Sequence, residues 1–210
     1  MTATESTVPD TVVVHVIEDD ESSRIASSRL LKKAGYVVRE YATGAEFLID
    51  APTEGGCIVL DLQLPGSNGL ELQEKLTTAA NPLPIVFLTG HGDVPKSVRA
   101  MKAGAIEFLT KPFSEQELLD AVMQALERDQ TARATRSERE ASLARFATLT
   151  PREREVFARV VAGRMNKEIA AELGTVEQTI KQHRGRVMHK LGVNSIAELV
   201  RFAERMTPSA

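Results

Sequence analysis

The chain has a single cysteine, Cys57, among its 210 residues. One thiol excludes an intrachain disulfide and is typical of proteins kept in a reducing cytosol. The pattern does not indicate a catalytic thiol, because the neighbours Gly56, Ile58 and Val59 offer no charge that would lower its pKa. We therefore expect a cytoplasmic protein whose chemistry does not depend on sulfur.

Long apolar runs and aromatic residues are also scarce. No run approaches the roughly 18 consecutive apolar residues that a membrane-spanning helix requires, and aromatic residues make up only 4% of the chain. The N-terminal tail, residues 1–11, is largely polar and acidic, so we expect neither a signal peptide nor a membrane partner. The chain is long enough for two ordinary globular domains or one large one.

Acidic residues exceed basic ones only slightly, but the excess is unevenly distributed. The formal net charge is −3. Up to residue 125 there are 10 lysines and arginines against 18 aspartates and glutamates, and the remainder has 16 against 11. A basic C-terminal part favours a polyanionic partner, although charge runs are more often solvated surfaces.

Five short apolar segments alternate with helical patterns in the predicted first domain, residues 12–126. The first segment begins at residue 11, one residue before that domain limit. The segments cover 11–17, 36–41, 56–61, 84–88 and 105–109. Strands that alternate with helices in this way predict a doubly wound α/β domain, flavodoxin-like, with a five-stranded parallel sheet.

The third of these segments ends in a carboxylate, Asp61, which Leu-Gln-Leu-Pro follows. At the carboxyl end of a buried parallel strand, an aspartate can be a metal ligand, a nucleophile or a cap for the next loop. The first, fourth and fifth segments are also followed by polar residues, namely Glu18, Asp19, Thr89 and Lys111. Because these ends share one edge of the sheet, we expect the five side chains to surround one crevice.

A second domain is expected over 148–208, after a linker at 127–147 that contains no glycine or proline. The linker continues the preceding helix without a stop signal, so we expect a long charged helix, with a flexible tether as the alternative. Thr150, Pro151 and Glu153 then form a strong helix start, with an N-cap, a first-turn proline and a capping-box acid.

The second domain is predicted to be all-α, with four helices. Its second helix runs from Asn166 to a turn glycine, Gly174, and its third covers 175–191 with Val176 and Ile180 among the residues expected in the core. Two short helices joined by a glycine turn are typical of a helix-turn-helix, in which the second helix reads the major groove of DNA.

The exposed face of that third helix carries side chains suited to DNA. Lysine can donate to guanine and glutamine can bind adenine bidentately, whereas contacts to phosphates position the protein without specifying sequence. A glycine in the helix costs about 1 kcal/mol relative to alanine and lets the DNA backbone approach closely. The expected DNA-binding residues are Lys167, Gln178, Thr179, Lys181, Gln182, Arg184, Gly185 and Arg186, while His183 is expected to pack.

These motifs resemble those of two-component response regulators. Residues 12–126 resemble a receiver domain in the acidic pair, in Leu-Asp-Leu-x-Leu-Pro around Asp61, in Leu-Thr-Gly at 88–90 and in Lys-Pro-Phe at 111–113. The segment Thr-Gly-His-Gly-Asp-Val-Pro is most similar to the FixJ branch of that family. Residues 149–206 resemble the LuxR, NarL and FixJ class of DNA-binding domains in Leu-Thr-Pro-Arg-Glu, Asn-Lys-Glu-Ile-Ala and Thr-Ile-Lys-x-His.

The resemblance implies that Asp61 accepts a phosphoryl group from a histidine of a cognate sensor kinase. Thr89 and Lys111 would stabilise that group. The implied Mg²⁺ would be bound by Glu18, Asp19, Asp61 and the backbone carbonyl of Gln63. Glu18 stands where the family more often has aspartate, and its longer side chain could reach the ion through water.

The resemblance also implies a switch. Thr89 would move onto the phosphoryl group, and Phe108 would fill the vacated space, creating a homodimer surface. The dimer would bind promoter DNA at inverted or direct half-sites and act on RNA polymerase. Two alternatives stay open at this point: a regulator whose receiver serves only protein contacts, and an aspartyl-nucleophile phosphatase, which needs a second acid where Gln63 stands.

Overall fold

The computed structural model describes residues 12–50, 52, 54–64, 67–78, 83–90 and 94–207. The chain divides after Arg133 into two compact units. The predicted tail 1–11 and the motif residues 65, 66 and 91–93 lie outside the described residues. In the described part of the chain, none of the helices is both long enough and apolar enough to cross a bilayer.

The first unit confirms the predicted α/β architecture. Its five main strands pair in parallel in the order β2-β1-β3-β6-β7. Two short strands, β4 and β5, form a separate antiparallel pair that was not predicted, because two residues are too few to show a periodicity. The elements are β1 (Val13–Ile17), α1 (Glu21–Lys33), β2 (Val37–Tyr41), α2 (Gly44–Asp50), β3 (Gly56–Asp61), β4 (Gln63–Leu64), β5 (Ser67–Asn68), α3 (Gly69–Thr77), β6 (Ile85–Thr89), α4 (Val94–Lys102), β7 (Glu107–Thr110) and the part of α5 (Glu115–Ala147) up to Arg133.

Apolar side chains cover both faces of the central strands, which is why β1, β3 and β6 read as continuous apolar runs. One face packs against α1 and α5, and the other against α2, α3 and α4. Cys57 is buried in β3, and burial raises the pKa of its thiol to about 12. The expectation that this cysteine has no catalytic role is therefore supported by its surroundings.

The last strand begins two residues later than predicted, at Glu107 instead of 105. Gly104 has φ 92°, and the amide of Ala105 donates to the carbonyl of Ala100 at 3.1 Å. The turn that closes α4 therefore includes Ala105, and the chain becomes extended only after it.

Helix α5 contains the whole of the predicted linker, 127–147. Just beyond its sheet-facing residues, Asp129 is 4% exposed and accepts a hydrogen bond of 2.9 Å from the backbone amide of Gly56. Arg133 pairs with the same carboxylate at 3.0 Å. Asp129 thus attaches α5 to the start of β3, a contact of which the sequence gives no local sign.

The second unit contains four helices after the end of α5, as predicted: α6 (Pro151–Val161), α7 (Asn166–Glu172), α8 (Glu177–Leu191) and α9 (Ile196–Met206). The capping box of Thr150 and Glu153 is present, and Ser195 caps α9. The core joins apolar residues of all four helices, with Val156, Ile169, Ile180 and Leu199 at its centre. Gly174, with φ 63°, makes the turn between α7 and α8.

The prediction for Val176 was wrong. It was expected in the core as part of a helix starting at Thr175, but α8 starts at Glu177 and Val176 is 65% exposed. Val176 is the N-cap residue with an extended backbone (φ −98°, ψ 153°), so its side chain is not in phase with the helix. Ile180, one helical turn later, is fully buried instead.

An ion pair in the second unit joins the start of α6 to α8. Lys190 Nζ lies 2.6 Å from Glu153 Oε2, and Glu153 is 3% exposed. The donation from Lys190, opposed by burial and assisted by the amide of Thr150, holds the pKa of Glu153 below its ordinary value. Because the unfolded state then binds more protons, this stabilisation is fully present above the ordinary carboxyl pKa and is lost as the pH falls through the lowered one.

We expect Lys190→Met to destabilise the second unit by about 1–3 kcal/mol at neutral pH, because a buried charge loses its donor. The difference from the wild type should shrink on acidification, measured by calorimetric melting of the full-length protein. Lys181→Met is the matched control, since the Lys181 ammonium lies 3.9 Å from Glu177 in an exposed pair. A difference that stays constant as the pH falls would contradict the assignment.

Candidate functional sites at the sheet edge and on helix α8

The polar residues predicted around one crevice follow neighbouring strands. Asp61 is the last residue of β3, Thr89 the last of β6, and Lys111 comes directly after β7. The registers align them, because Asp61 pairs with Leu88 and Thr89 pairs with Thr110. Each residue therefore lies within one step of its neighbour along the same edge of the sheet.

The ammonium of Lys111 joins two buried carboxylates. Its Nζ lies 2.6 Å from Asp61 Oδ2 and 2.5 Å from Glu18 Oε2. Asp61 and Glu18 are 5% and 2% exposed. The Lys111–Pro112 peptide bond is cis. The structure therefore brings Glu18, Asp61 and Lys111 together.

Burial and charge perturb this cluster. Burial raises the pKa of Glu18 to about 7; the hydrogen bond from Lys111 opposes the rise, and the nearby charge of Asp61 adds to it. For Lys111, burial lowers the pKa, but the hydrogen bonds to Asp61 and Glu18 outweigh it and hold the pKa above its ordinary value. Lys111 is therefore positively charged at neutral pH. Glu18 and Asp61 share this one ammonium group.

Two hydrogen bonds, one to each oxygen, orient the carboxylate of Asp61. Its Oδ1 accepts a hydrogen bond of 2.6 Å from the amide of Gln63, while Oδ2 faces Lys111. Behind it, a Cβ added at Gly69 would lie 2.9 Å from the Asp61 carbonyl oxygen, so glycine is the residue that fits there. The amide of Lys111 donates to the carbonyl of Thr89 at 2.7 Å, and the Thr89 residue is fully buried.

Arg24, which sequence reasoning missed, holds the loop that carries the acidic pair. Its Nη1 donates to the carbonyls of Glu18 and Asp19, at 2.7 and 3.2 Å. The next residue, Asp20, caps α1 by accepting from the amide of Ser23 at 2.7 Å. Asp19 itself is exposed, unlike Glu18. The sequence gives no sign of this contact, because Arg24 binds backbone carbonyl groups, which every residue has.

The donor chemistry of the crevice suits Mg²⁺, although no described group of three or more His, Cys, Asp or Glu side chains is arranged to hold a metal ion. Oxygen atoms are the donors that Mg²⁺ prefers, and it keeps several waters while binding few carboxylates. The crevice offers the buried carboxylates of Glu18 and Asp61, which share the ammonium of Lys111, and the exposed Asp19 follows Glu18 in the chain. A divalent cation would supply further positive charge.

Phe108 lies on β7 beside the crevice strands. Its ring centroid is 6.3 Å from that of Phe87, and it packs, half-buried, against the edge of the core. A side chain that is not enclosed on all sides can change rotamer without opening the core. This position is compatible with the predicted switch, which stays a prediction.

Helix α8 presents most of the predicted DNA-binding residues to solvent. The exposed ones are Gln178, Lys181, Gln182, Gly185 and Arg186, together with Lys167 on α7. Thr179 and His183 are half-buried, in agreement with the expectation that His183 packs. A Cβ added at Gly185 would meet nothing within 4 Å, so this side of the helix is open to an approaching backbone.

Arg184, one of the predicted DNA-binding residues, makes a short hydrogen bond inside the protein. Its Nη1 donates to Asn166 Oδ1 at 2.6 Å, joining α8 to the first residue of α7. The residue is half-buried. The contact fixes the two helices of the helix-turn-helix against each other, and sequence reasoning did not foresee it, because the two residues are 18 positions apart.

Comparisons with known families divide the chain in the same two parts. The model described as the response regulator receiver domain matches residues 14–123, and the model of bacterial regulatory proteins of the luxR family matches residues 147–203. The first covers every residue of the crevice cluster, and the second covers helices α6 to α8. The domain limits predicted at residues 126 and 148 stay predictions.

Relatives are similar to this chain over nearly its whole length. Nodulation protein W of Bradyrhizobium diazoefficiens is 45% identical, over 94% of this chain and 88% of that protein. The transcriptional regulatory protein FixJ of the same species is 39% identical, over 91% and 94%. Among solved structures, response regulator StyR has a TM-score of 0.82 at 46% identity, over 93% of this chain and 99% of that one. Full-length FixJ from B. japonicum has a TM-score of 0.57 at 39% identity, over 93% and 97%.

Proposed function

The chain belongs to the response regulators that join a receiver domain to a LuxR-type DNA-binding domain, and on that premise we propose that phosphorylation of Asp61 controls its binding to promoter DNA. Its family is one of transcriptional regulators. The observation that carries the proposal is the contact of Lys111 Nζ with Asp61 Oδ2 at 2.6 Å, at the carboxyl edge of the sheet. We also propose that the protein works in the cytoplasm.

The proposed reaction is a displacement at phosphorus. An oxygen of Asp61 attacks a phosphohistidine of the cognate sensor kinase, the P–N bond breaks, and the imidazole leaves with its electron pair. The acyl phosphate that forms carries negative charge in a buried place. Lys111 is in position to neutralise part of this charge, and the hydroxyl of Thr89 would donate to a phosphoryl oxygen.

Mg²⁺ is the implied cofactor, and the oxygen donors of the crevice fit it. Asp19, Asp61 and the backbone carbonyl of Gln63 would bind the ion directly, and Glu18 would reach it through water. When bound, the ion would supply positive charge to the phosphoryl oxygens. Two further features of the chain prepare the site: Arg24 holds the acidic loop, and the amide of Gln63 orients Asp61.

The proposed output is a homodimer on DNA. Thr89 moving onto the phosphoryl group would let the half-buried Phe108 turn inward, which shifts the population of receiver states towards a dimerising one. The dimer would bind two inverted or direct half-sites through α8 and act on RNA polymerase. Support comes from the exposed lysine and glutamine side chains of α8, which are of the types that can hydrogen-bond to base edges.

A direct experiment tests the acceptor. The full-length protein is incubated with acetyl phosphate and Mg²⁺, and intact mass and peptide mapping are recorded. We expect one phosphoryl adduct per chain, on Asp61, and tighter binding to operator DNA by the phosphorylated protein. No adduct, or an adduct on another residue, would refute the proposed switch.

For the DNA-binding half, we expect Lys181→Ala to cost about 1–3 kcal/mol of discrimination between operator and random DNA. Lys181 is exposed on the outer face of α8, and its ammonium lies 3.9 Å from the exposed carboxylate of Glu177. Affinities for both DNAs are measured at fixed salt. Lys190→Ala is unsuitable as a control because it breaks a buried pair, so Lys102→Ala in the receiver serves instead. An unchanged specificity ratio for Lys181→Ala would contradict the role of α8.

A further inference from the structure

The two acids that follow β1 are placed differently. Glu18 is 2% exposed and its carboxylate lies 2.5 Å from the ammonium of Lys111. Asp19 is exposed, and its backbone carbonyl is held by Arg24. Glutamate reaches one methylene further than aspartate, and in this chain that reach ends at Lys111.

Lys111 has three N–H donors, and the two carboxylates accept from it at 2.5 and 2.6 Å. When Asp61 becomes an acyl phosphate, one of its oxygens is bonded to phosphorus in a mixed anhydride, and the negative charge lies on the phosphoryl oxygens. The ammonium must then exchange Asp61 for phosphoryl oxygens. The carboxylate of Glu18 takes no part in the new bond, so it is available to Lys111 throughout this exchange.

We propose that Glu18 is a positioning residue for Lys111, holding the ammonium in the crevice while Lys111 passes from the Asp61 carboxylate to the incoming phosphoryl group. The inference rests on the proposed function of Asp61 as the acceptor. It assigns Glu18 to the lysine, whereas Asp19 and Asp61 remain the carboxylates directed to the cation.

A double-mutant cycle separates the two roles. Glu18→Gln, Lys111→Met and the double variant are phosphorylated with acetyl phosphate at saturating Mg²⁺, and rates are measured over a range of donor concentrations. We expect Glu18→Gln to lower the saturating rate about tenfold, the equivalent of one charge-assisted hydrogen bond. In the Lys111→Met background the same substitution should have almost no effect, because its target is gone.

Asp19→Asn provides the matched comparison. It should lower Mg²⁺ affinity, measured by titration calorimetry, more than Glu18→Gln does, and its effect on the rate should persist in the Lys111→Met background. If Glu18→Gln is equally harmful with and without Lys111, and excess Mg²⁺ restores its rate, Glu18 is a direct metal ligand and the proposal is overturned.

A second readout needs neither phosphoryl transfer nor metal. The rate at which an amine-reactive reagent labels Lys111 is followed by mass spectrometry in Mg²⁺-free buffer. We expect several-fold faster labelling in Glu18→Gln, since the ammonium loses one of two anchors, and wild-type labelling in Asp19→Asn. Equal labelling of Glu18→Gln and the wild type would overturn the proposal. A wild-type protein that takes up no phosphoryl group would instead refute the acceptor role of Asp61, so the two failures are distinguishable.

Discussion

Asp61→Asn is expected to abolish phosphoryl uptake completely and to leave the fold intact. The carboxamide has the same shape and can still accept the hydrogen bond from the amide of Gln63, but it is not a nucleophile under these conditions. Lys111 keeps its second partner, Glu18, so no buried ammonium is stranded. Intact mass after incubation with acetyl phosphate and Mg²⁺ measures uptake, and circular dichroism checks the fold.

Asp120→Asn is the matched control for this variant. Its carboxylate lies on α5 and accepts from the side chain of Gln116 one helical turn away, apart from the strand ends that form the crevice. We expect wild-type uptake in the control. In Asp61→Asn the DNA affinity should no longer respond to phosphodonor. A full adduct on this variant would show that another residue is the acceptor.

Gly56→Ala is expected to destabilise the receiver by more than about 3 kcal/mol, enough to prevent its folding. A Cβ at this position would lie 1.8 Å from the carbonyl oxygen of Val13, a backbone atom of the neighbouring strand. Hydrogen bonds on both residues prevent the backbone at Gly55 and Gly56 from moving away from β1. Gly55 accepts from the amide of Val13 at 2.9 Å, and Gly56 donates to the buried carboxylate of Asp129. Urea unfolding and the soluble yield of the full-length protein measure the effect.

Gly90→Ala makes the same chemical change in the same unit without the clash. A Cβ there would meet nothing within 4 Å, and the residue is exposed. We expect a stability within about 0.5 kcal/mol of the wild type. Comparable stabilities for the two alanine variants would show that β1 and β3 can separate to admit a methyl group, contrary to the close approach described here.

Local patterns were sufficient to predict most of the fold. Apolar runs such as Ile58–Leu60 and the capping box of Thr150 and Glu153 depend on residues that are adjacent or three apart, so they can be recognised in one dimension. The prediction was wrong where a local pattern fitted two structures. Val176 has helical spacing with Ile180, but the turn at Gly174 leaves it outside the helix, and spacing alone does not reveal where a helix begins.

The sequence predicted which polar residues lie at the strand ends, and it did not predict their contacts. The strand ends identified Asp61, Thr89 and Lys111, because parallel strands put their carboxyl ends at one edge. Arg24 was missed, since it binds backbone carbonyls, which are the same in every sequence. The contact of Arg184 with Asn166 was missed too, because a side chain that suits DNA also suits an amide oxygen.

By itself, the sequence determined the order of strands and helices, the two-part organisation and the set of chemical groups at the edge of the sheet. Periodicity, turn residues and short motifs each involve only a few neighbouring positions, so they can be recognised without knowledge of the fold. Only the tertiary structure decided which groups are partners. Lys111 meets Glu18 across 93 positions, and Asp129 meets Gly56 across 73. Such pairs form because packing buries charged groups that must then be neutralised or hydrogen-bonded by whatever the fold brings beside them.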